Sequence, residues 1–150
     1  MELILWRHAD AEYGYLDMDR PLSDKGCKQA RKMAGFLLSK LPKDVRILVS
    51  PALRTQQTAL ALGLPFQTEP LLAPDASAED ILQAVDWPNG DGCTVVVGHQ
   101  PTLGMLAARL LASSDIGVSI KKGAVWWIAA RRHEQGAAAS LRWVMSAKLL

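Results

Sequence analysis

Covalent cross-links are the first thing missing. The 150 residues hold two cysteines, Cys27 and Cys93, too few for a disulfide framework and not spaced as a Cys-x-x-Cys pair. A reducing cytoplasm is therefore the expected compartment. No apolar run approaches the ~20 residues of a membrane span. The opening Met1-Glu2-Leu3-Ile4-Leu5-Trp6-Arg7 lacks the basic leader and cleavage site of a signal peptide. Charge of one sign is lacking too: 17 Lys and Arg against 15 Asp and Glu give net +2, too little to argue for nucleic acid. There is no Gly-x-x-x-x-Gly-Lys-Ser/Thr nucleotide loop. Met33 stands where a Cys-x5-Arg phosphatase loop beginning at Cys27 would need arginine. Asp17-Met18-Asp19 has the look of an aspartyl nucleophile pair, but no buried strand leads into it. His133-Glu134 lacks the second histidine of a zinc helix and reads as a hairpin turn. Repeats and low-complexity tracts are absent.

What is present reads as one soluble, intracellular domain over residues 1–150, with no membrane or nucleic-acid partner. Hydrophobic residues make up 49% and charged residues 21%, which argues against disorder. A chain of this size buries roughly 68–70% of its unfolded surface. Leu3–Trp6 fits a buried strand. Ser23 is placed to cap a helix running to about Lys40, with Ala30, Met33, Ala34, Leu37 and Leu38 at helical spacing. Val45–Val49 is a second strand, followed by Ser50 as a cap and Pro51 at the first position of a helix reaching about Leu62. Phe66–Thr68 fits an edge strand, Ala78–Val85 a short helix and Thr94–Val97 a third buried strand. Pro101 opens a helix over 102–112. Residues 124–130 and 139–145 form a hairpin joined around Gly136. Strands alternating with helices imply a three-layer α/β/α sandwich on a mixed, mainly parallel sheet.

The informative residues follow the three strands. The first runs into Arg7-His8, the second into Ser50-Pro51 and then Arg54, the third into Gly98-His99. In a parallel sheet these ends share one edge, where open α/β sheets bind ligands. Two arginines and two histidines thus converge from positions 46 and 45 residues apart (8 to 54, 54 to 99). Two of the sites lie at helix N-termini, which favour anions, and guanidinium forks match phosphate oxygens. The motifs supply no obvious carboxylate partner, so the cluster reads as a phosphate pocket. A neutral imidazole attacks phosphorus if its other nitrogen is held as a donor. His8, on rigid backbone beside Arg7, is the candidate nucleophile. Arg7 and Arg54 would neutralise the phosphoryl oxygens, and His99 would donate to the same group.

These residues resemble those of the histidine phosphatase superfamily. Leu5-Trp6-Arg7-His8-Ala9-Asp10-Ala11 resembles its Arg-His-Gly signature. Ser50-Pro51-Ala52-Leu53-Arg54-Thr55-Gln56-Gln57-Thr58 is similar to its Ser-Pro-x-x-Arg-x-x-x-Thr motif, and Val97-Gly98-His99-Gln100-Pro101 to its second histidine motif. Arg20-Pro21-Leu22-Ser23-Asp24-Lys25-Gly26 resembles an element of the small SixA-like branch. The resemblance implies a phosphoglycerate mutase-like fold and a phosphatase without metal or other cofactor, working through a phosphohistidine on His8. Its phosphate pocket would be Arg7, His8, Arg54 and His99, with Arg20 a further anion contact. It implies protein-borne phosphohistidine as substrate, with a partner such as a histidine phosphotransfer domain. The alternatives are a small-molecule phosphatase or mutase on the same scaffold, and a non-catalytic phosphate-binding module. Ala9 stands where the family usually has glycine. If that residue were left-handed, alanine would cost on the order of 1 kcal/mol.

Cleaving a phosphate ester calls for an acid to protonate the leaving alkoxide. Asp75, Glu69 and Asp10 are the candidates, and the sequence does not choose among them. A phosphohistidine substrate relaxes the demand, because a protonated imidazole leaves readily. Family members acting on small esters often carry a large lid after the second motif. Here only residues 63–93 fill that interval, and an open pocket suits a protein-borne phosphate.

Overall fold

The computed structural model describes residues 1–133 and 136–150. Six strands make one sheet: β1 (Glu2–Arg7), β2 (Arg46–Val49), β3 (Gln67–Thr68), β4 (Cys93–Gly98), β5 (Val125–His133) and β6 (Gly136–Met145), in spatial order β3-β2-β4-β1-β5-β6. The first four are parallel to one another, and the β5–β6 hairpin joins β1 antiparallel. The helices are α1 (Asp24–Leu38), α2 (Leu53–Leu60), α3 (Ala78–Val85) and α4 (Thr102–Ala112). This is the three-layer mixed sandwich that the alternating pattern implies.

Period-two alternation divides the core. Ile4, Trp6, Ile47, Val49, Val95 and Val97 pack with Met33 and Leu37 of α1 and Ala59 of α2. Leu3, Leu5, Leu48 and Val96 pack on the other face with Ile81 and Val85 of α3 and Leu103 and Leu106 of α4. The tryptophan pair splits the same way. Trp127 joins the first cluster and Trp126 packs against the second, so Trp126 covers core.

Most elements lie within a few residues of their expected bounds. Ser23 caps α1 by accepting from the Gly26 amide at 3.0 Å. The exception is Ser50. Helix α2 begins at Leu53 with Ala52 as its N-cap, so Ser50 lies two residues before the cap, and its hydroxyl pairs with His99. Of the hairpin turn expected at His133-Glu134 and around Gly136, Glu134 lies, with Gln135, outside the described residues; His133 pairs with Gly136 at the ends of β5 and β6. No helix among the described residues is long and apolar enough to cross a membrane.

Candidate active site

The sheet places the site. Strand β4 lies between β1 and β2, with Arg7 opposite Gly98 and Val49 opposite Val97. The ladder continues one residue further: the His8 amide donates to the Gly98 carbonyl at 3.1 Å and the Ser50 amide to the Val97 carbonyl at 3.1 Å. His8, His99 and Ser50 therefore sit side by side on neighbouring strand ends. The two imidazole centroids are 5.4 Å apart, and both rings are buried.

The His8 ring is held in one tautomer. Nδ1 lies 2.7 Å from the Ala9 carbonyl oxygen, which only accepts, so Nδ1 carries the proton and Nε2 keeps its lone pair. Burial, with the charges of Arg54, Arg7 and Arg20, pushes its pKa down to about 4. Burial and Arg54 bring His99 down to about 3. Both rings are neutral near pH 7. His99 Nε2 pairs with the Ser50 hydroxyl at 2.8 Å, and that oxygen also accepts from the Ala52 amide at 3.3 Å.

The arginines are anchored by their terminal nitrogens. Arg7 donates to the Ile120 carbonyl at 2.8 Å. Arg54, 4% exposed, donates to the Asp17 carbonyl at 2.6 Å and lies 3.3 Å from the Asp17 carboxylate. That contact corrects the expectation that the cluster has no carboxylate partner. The pair at Asp17 and Asp19 forms a 3-10 turn whose first aspartate grips Arg54. Nothing in the local sequence of Asp17 signals this, since the contact spans 37 residues. Among the described residues, three buried side-chain nitrogens have no hydrogen-bond partner: Arg7 Nε, Arg54 Nε and His99 Nδ1. Unpaired buried polar nitrogens are costly and uncommon, and here they fall on three of the four expected pocket residues.

Arg20 reaches the rim. Its Nε donates to the Glu12 carbonyl at 2.8 Å, its guanidinium stacks 4.7 Å from the Tyr13 ring centre, and it lies 3.7 Å from Asp17. Its charge is felt at His8.

The segment after His8 is clamped by residues that sequence reasoning assigned no role. Ala9 is buried beside Leu22 and Ala30, and its amide donates to Thr58 Oγ1 at 3.1 Å. Ala9 is not among the described residues of positive φ, so alanine carries no left-handed strain there. The Asp10 amide donates to Gln29 Oε1 at 2.9 Å. A Cβ on Gly26 would sit 1.9 Å from the Asp10 carbonyl oxygen, so glycine is required where α1 crosses this segment. Gly123, at φ +73°, donates its amide to the Arg7 and His8 carbonyls at 3.1 and 3.0 Å.

The three candidate acids are occupied differently. Asp10 accepts from Ser23 at 2.6 Å and pairs with Lys122 at 2.8 Å, which holds its pKa below the usual carboxylate range. Glu69 caps a short turn through the Leu71 amide at 3.0 Å. Asp75 lines a separate small cleft with Thr102 and Arg109. No cluster of three or more potential metal ligands exists among the described residues.

Residues 3–77 match the model of the histidine phosphatase superfamily (branch 1). Phosphohistidine phosphatase SixA of Escherichia coli K12 is 35% identical over 120 residues, 73% of this chain and 74% of the relative. The chain belongs to the histidine phosphatase superfamily. An uncharacterized Mycobacterium tuberculosis protein is 34% identical over 123 residues, 76% of this chain and 75% of its own. The solved structure of the protein histidine phosphatase SixA complexed with tungstate superposes with a TM-score of 0.80 at 28% identity, covering 99% of both chains. The sandwich is thus the SixA and phosphoglycerate mutase-like fold, and superfamily membership with these relatives makes the chain a phosphatase of the hydrolase class.

Proposed function

We propose that the chain is a phosphohistidine phosphatase that hydrolyses protein-borne phosphohistidine through a covalent intermediate on His8. The observation that carries this reading is the His8 ring: neutral, with Nδ1 committed to the Ala9 carbonyl at 2.7 Å and Nε2 free to attack. The Nε2 lone pair forms a bond to phosphorus as the bond from phosphorus to the substrate imidazole nitrogen breaks. The leaving imidazole is neutral once its far nitrogen holds a proton. Water then attacks phosphorus, releasing phosphate and restoring His8.

Arg7 Nε, Arg54 Nε and His99 Nδ1 are suited to hold the phosphoryl oxygens as charge shifts between nitrogens. With the Ser50 hydroxyl donating to His99 Nε2 at 2.8 Å, the imidazole proton lies on Nδ1, the tautomer that this reading requires. SixA, 28% identical over nearly the whole chain, has been seen with tungstate, a tetrahedral oxyanion like phosphate. The state of Asp10 supports phosphohistidine over esters. A carboxylate held ionised by Lys122 and Ser23 is a poor acid for an alkoxide, and an imidazole leaving group has less need of one.

The test is phosphate release from a phosphohistidine protein, an alkyl phosphate and 3-phosphoglycerate, with trapping of the enzyme-bound label. The expected result is fastest turnover on phosphohistidine, with a base-stable, acid-labile label that is absent in His8→Ala. Rates on 3-phosphoglycerate equal to or above those on phosphohistidine favour the small-molecule reading. Phosphate binding without release favours a non-catalytic module.

A further inference from the structure

Beside the phosphate pocket lies a second feature that the reaction does not use. A cleft of about 850 Å³ opens between α1, the segment before β5 and the C-terminal turn at Ala147–Leu149. Its walls carry Lys25, Lys28 and Lys32 from α1, Lys121 and Lys122, and Lys148. The α1 lysines recur at i, i+3 and i+7 and so share one helix face. Asp10 is the one carboxylate on the lining, already paired with Lys122. Among the described residues the other five lysines are in no ion pair. A chain of net charge +2 thus concentrates cations here.

The cleft is joined to the site by Arg7, which lines it. Arg7 is fixed to the Ile120 carbonyl between cleft residues Ser119 and Lys121. On the chain between β1 and α1, Tyr13, Tyr15, Leu16 and Met18 are exposed, Leu16 at 78%, and Asp17 of the same segment holds Arg54.

We infer that the lysine cleft is the docking surface for an acidic segment of the protein that carries the phosphohistidine. This rests on the proposed function and specifies which carrier proteins the site accepts. Mobile ammonium groups act as solvated point charges, which suits long-range steering of a complementary surface. Small-ligand pockets instead use a small number of precisely placed polar groups, whereas six lysines line this cleft. Exposed Leu16 and Met18 flank Asp17, which holds Arg54 of the phosphate pocket, and apolar side chains at that rim fit a protein surface rather than a phosphodiester backbone. Sharing Arg7 lets the docked protein present its phosphorylated side chain to His8.

The test uses the full chain and a triple variant, Lys28→Gln, Lys32→Gln and Lys148→Gln, with its fold checked by thermal melting. Binding is read by anisotropy of a labelled helical peptide rich in Asp and Glu around one unphosphorylated histidine, and of its Asn/Gln counterpart. The acidic peptide is expected to bind at least about 10-fold more tightly to the parent than to the variant, and the neutral peptide weakly to both. In turnover, kcat/KM on an acidic phosphohistidine protein falls by about 10-fold or more and loses its salt dependence, while kcat/KM on free phosphohistidine stays within about twofold. Unchanged peptide binding, equal losses on both substrates, or tighter binding of an oligonucleotide of equal charge would overturn the docking role. Charge-dependent peptide binding without hydrolysis by the parent would sink the proposed reaction and leave the docking surface standing.

Discussion

His99 and Ser50 meet across neighbouring strand ends, ring nitrogen to hydroxyl at 2.8 Å, and that contact decides which nitrogen of His99 faces an anion. With the hydroxyl proton on Nε2, Nδ1 is a donor; without it, the ring is free to present a lone pair to the phosphoryl oxygens. Ser50→Ala is expected to lower kcat about 10-fold, in line with losses on removing a partner that orients a functional imidazole, and to weaken competitive inhibition by phosphate. Ser50→Thr, which keeps the hydroxyl, restores most of it. Steady-state kinetics with phosphate as inhibitor checks this.

Acid should destabilise the fold in a defined window. Unfolded histidines titrate near 6.5, while His8 and His99 in the folded chain titrate at about 4 and about 3. Between these values the unfolded chain binds more protons, so stability is fully present above 6.5 and is lost as pH falls toward 4 and then 3. The His8 contribution alone is on the order of 3 kcal/mol. Urea unfolding at pH 7.5, 6, 5 and 4 should show a falling midpoint, with a shallower fall in His8→Asn.

Asp10→Asn separates an ion-pair role from an acid role. Removing the partly buried pair with Lys122 should cost within about 1 kcal/mol of stability. The pH profile of kcat on phosphohistidine should keep its shape. A lost alkaline limb in the pH–rate curve would identify Asp10 as the proton donor after all.

Gly26→Ala tests the clamp behind the nucleophile. Its Cβ would meet the Asp10 carbonyl oxygen at 1.9 Å, so α1 or the segment after His8 must move. A loss of about 1–3 kcal/mol is expected from overpacking, with a larger fractional drop in kcat than a comparable destabilisation elsewhere produces. Thermal melts beside kinetics of Gly26→Ala and of Ile81→Val, a buried α3 position away from the site whose truncation costs about 0.5–1.5 kcal/mol, provide the comparison.

The architecture was legible because its signals are local. Strand β1 has an unbroken apolar run at Leu3–Trp6, α1 has Ser23 as its cap, and His8 and His99 each follow a strand directly, with Arg7 ending β1 and Arg54 in the first turn of α2. Ser50 misled because a serine before Pro51 is a sound capping signal, and only the distant His99 redirects its hydroxyl. The grip of Asp17 on Arg54 and the crossing of Gly26 over Asp10 were hidden for the same reason: they are meetings of remote backbone. That Lys25, Lys28 and Lys32 look into a cleft shared with Arg7 depends on where the segment before β5 and the C-terminal turn come to rest.

Strand β4, wedged between β1 and β2, gives the pocket its ruler. The separation of the two imidazoles is inherited from hydrogen-bonded pleats, which vary little. The connecting segments can then lengthen, shrink or change charge without respacing the groups that would handle phosphorus. Relatives built on the same frame are free to diverge in what they accept while the distances that matter for bond-making stay put.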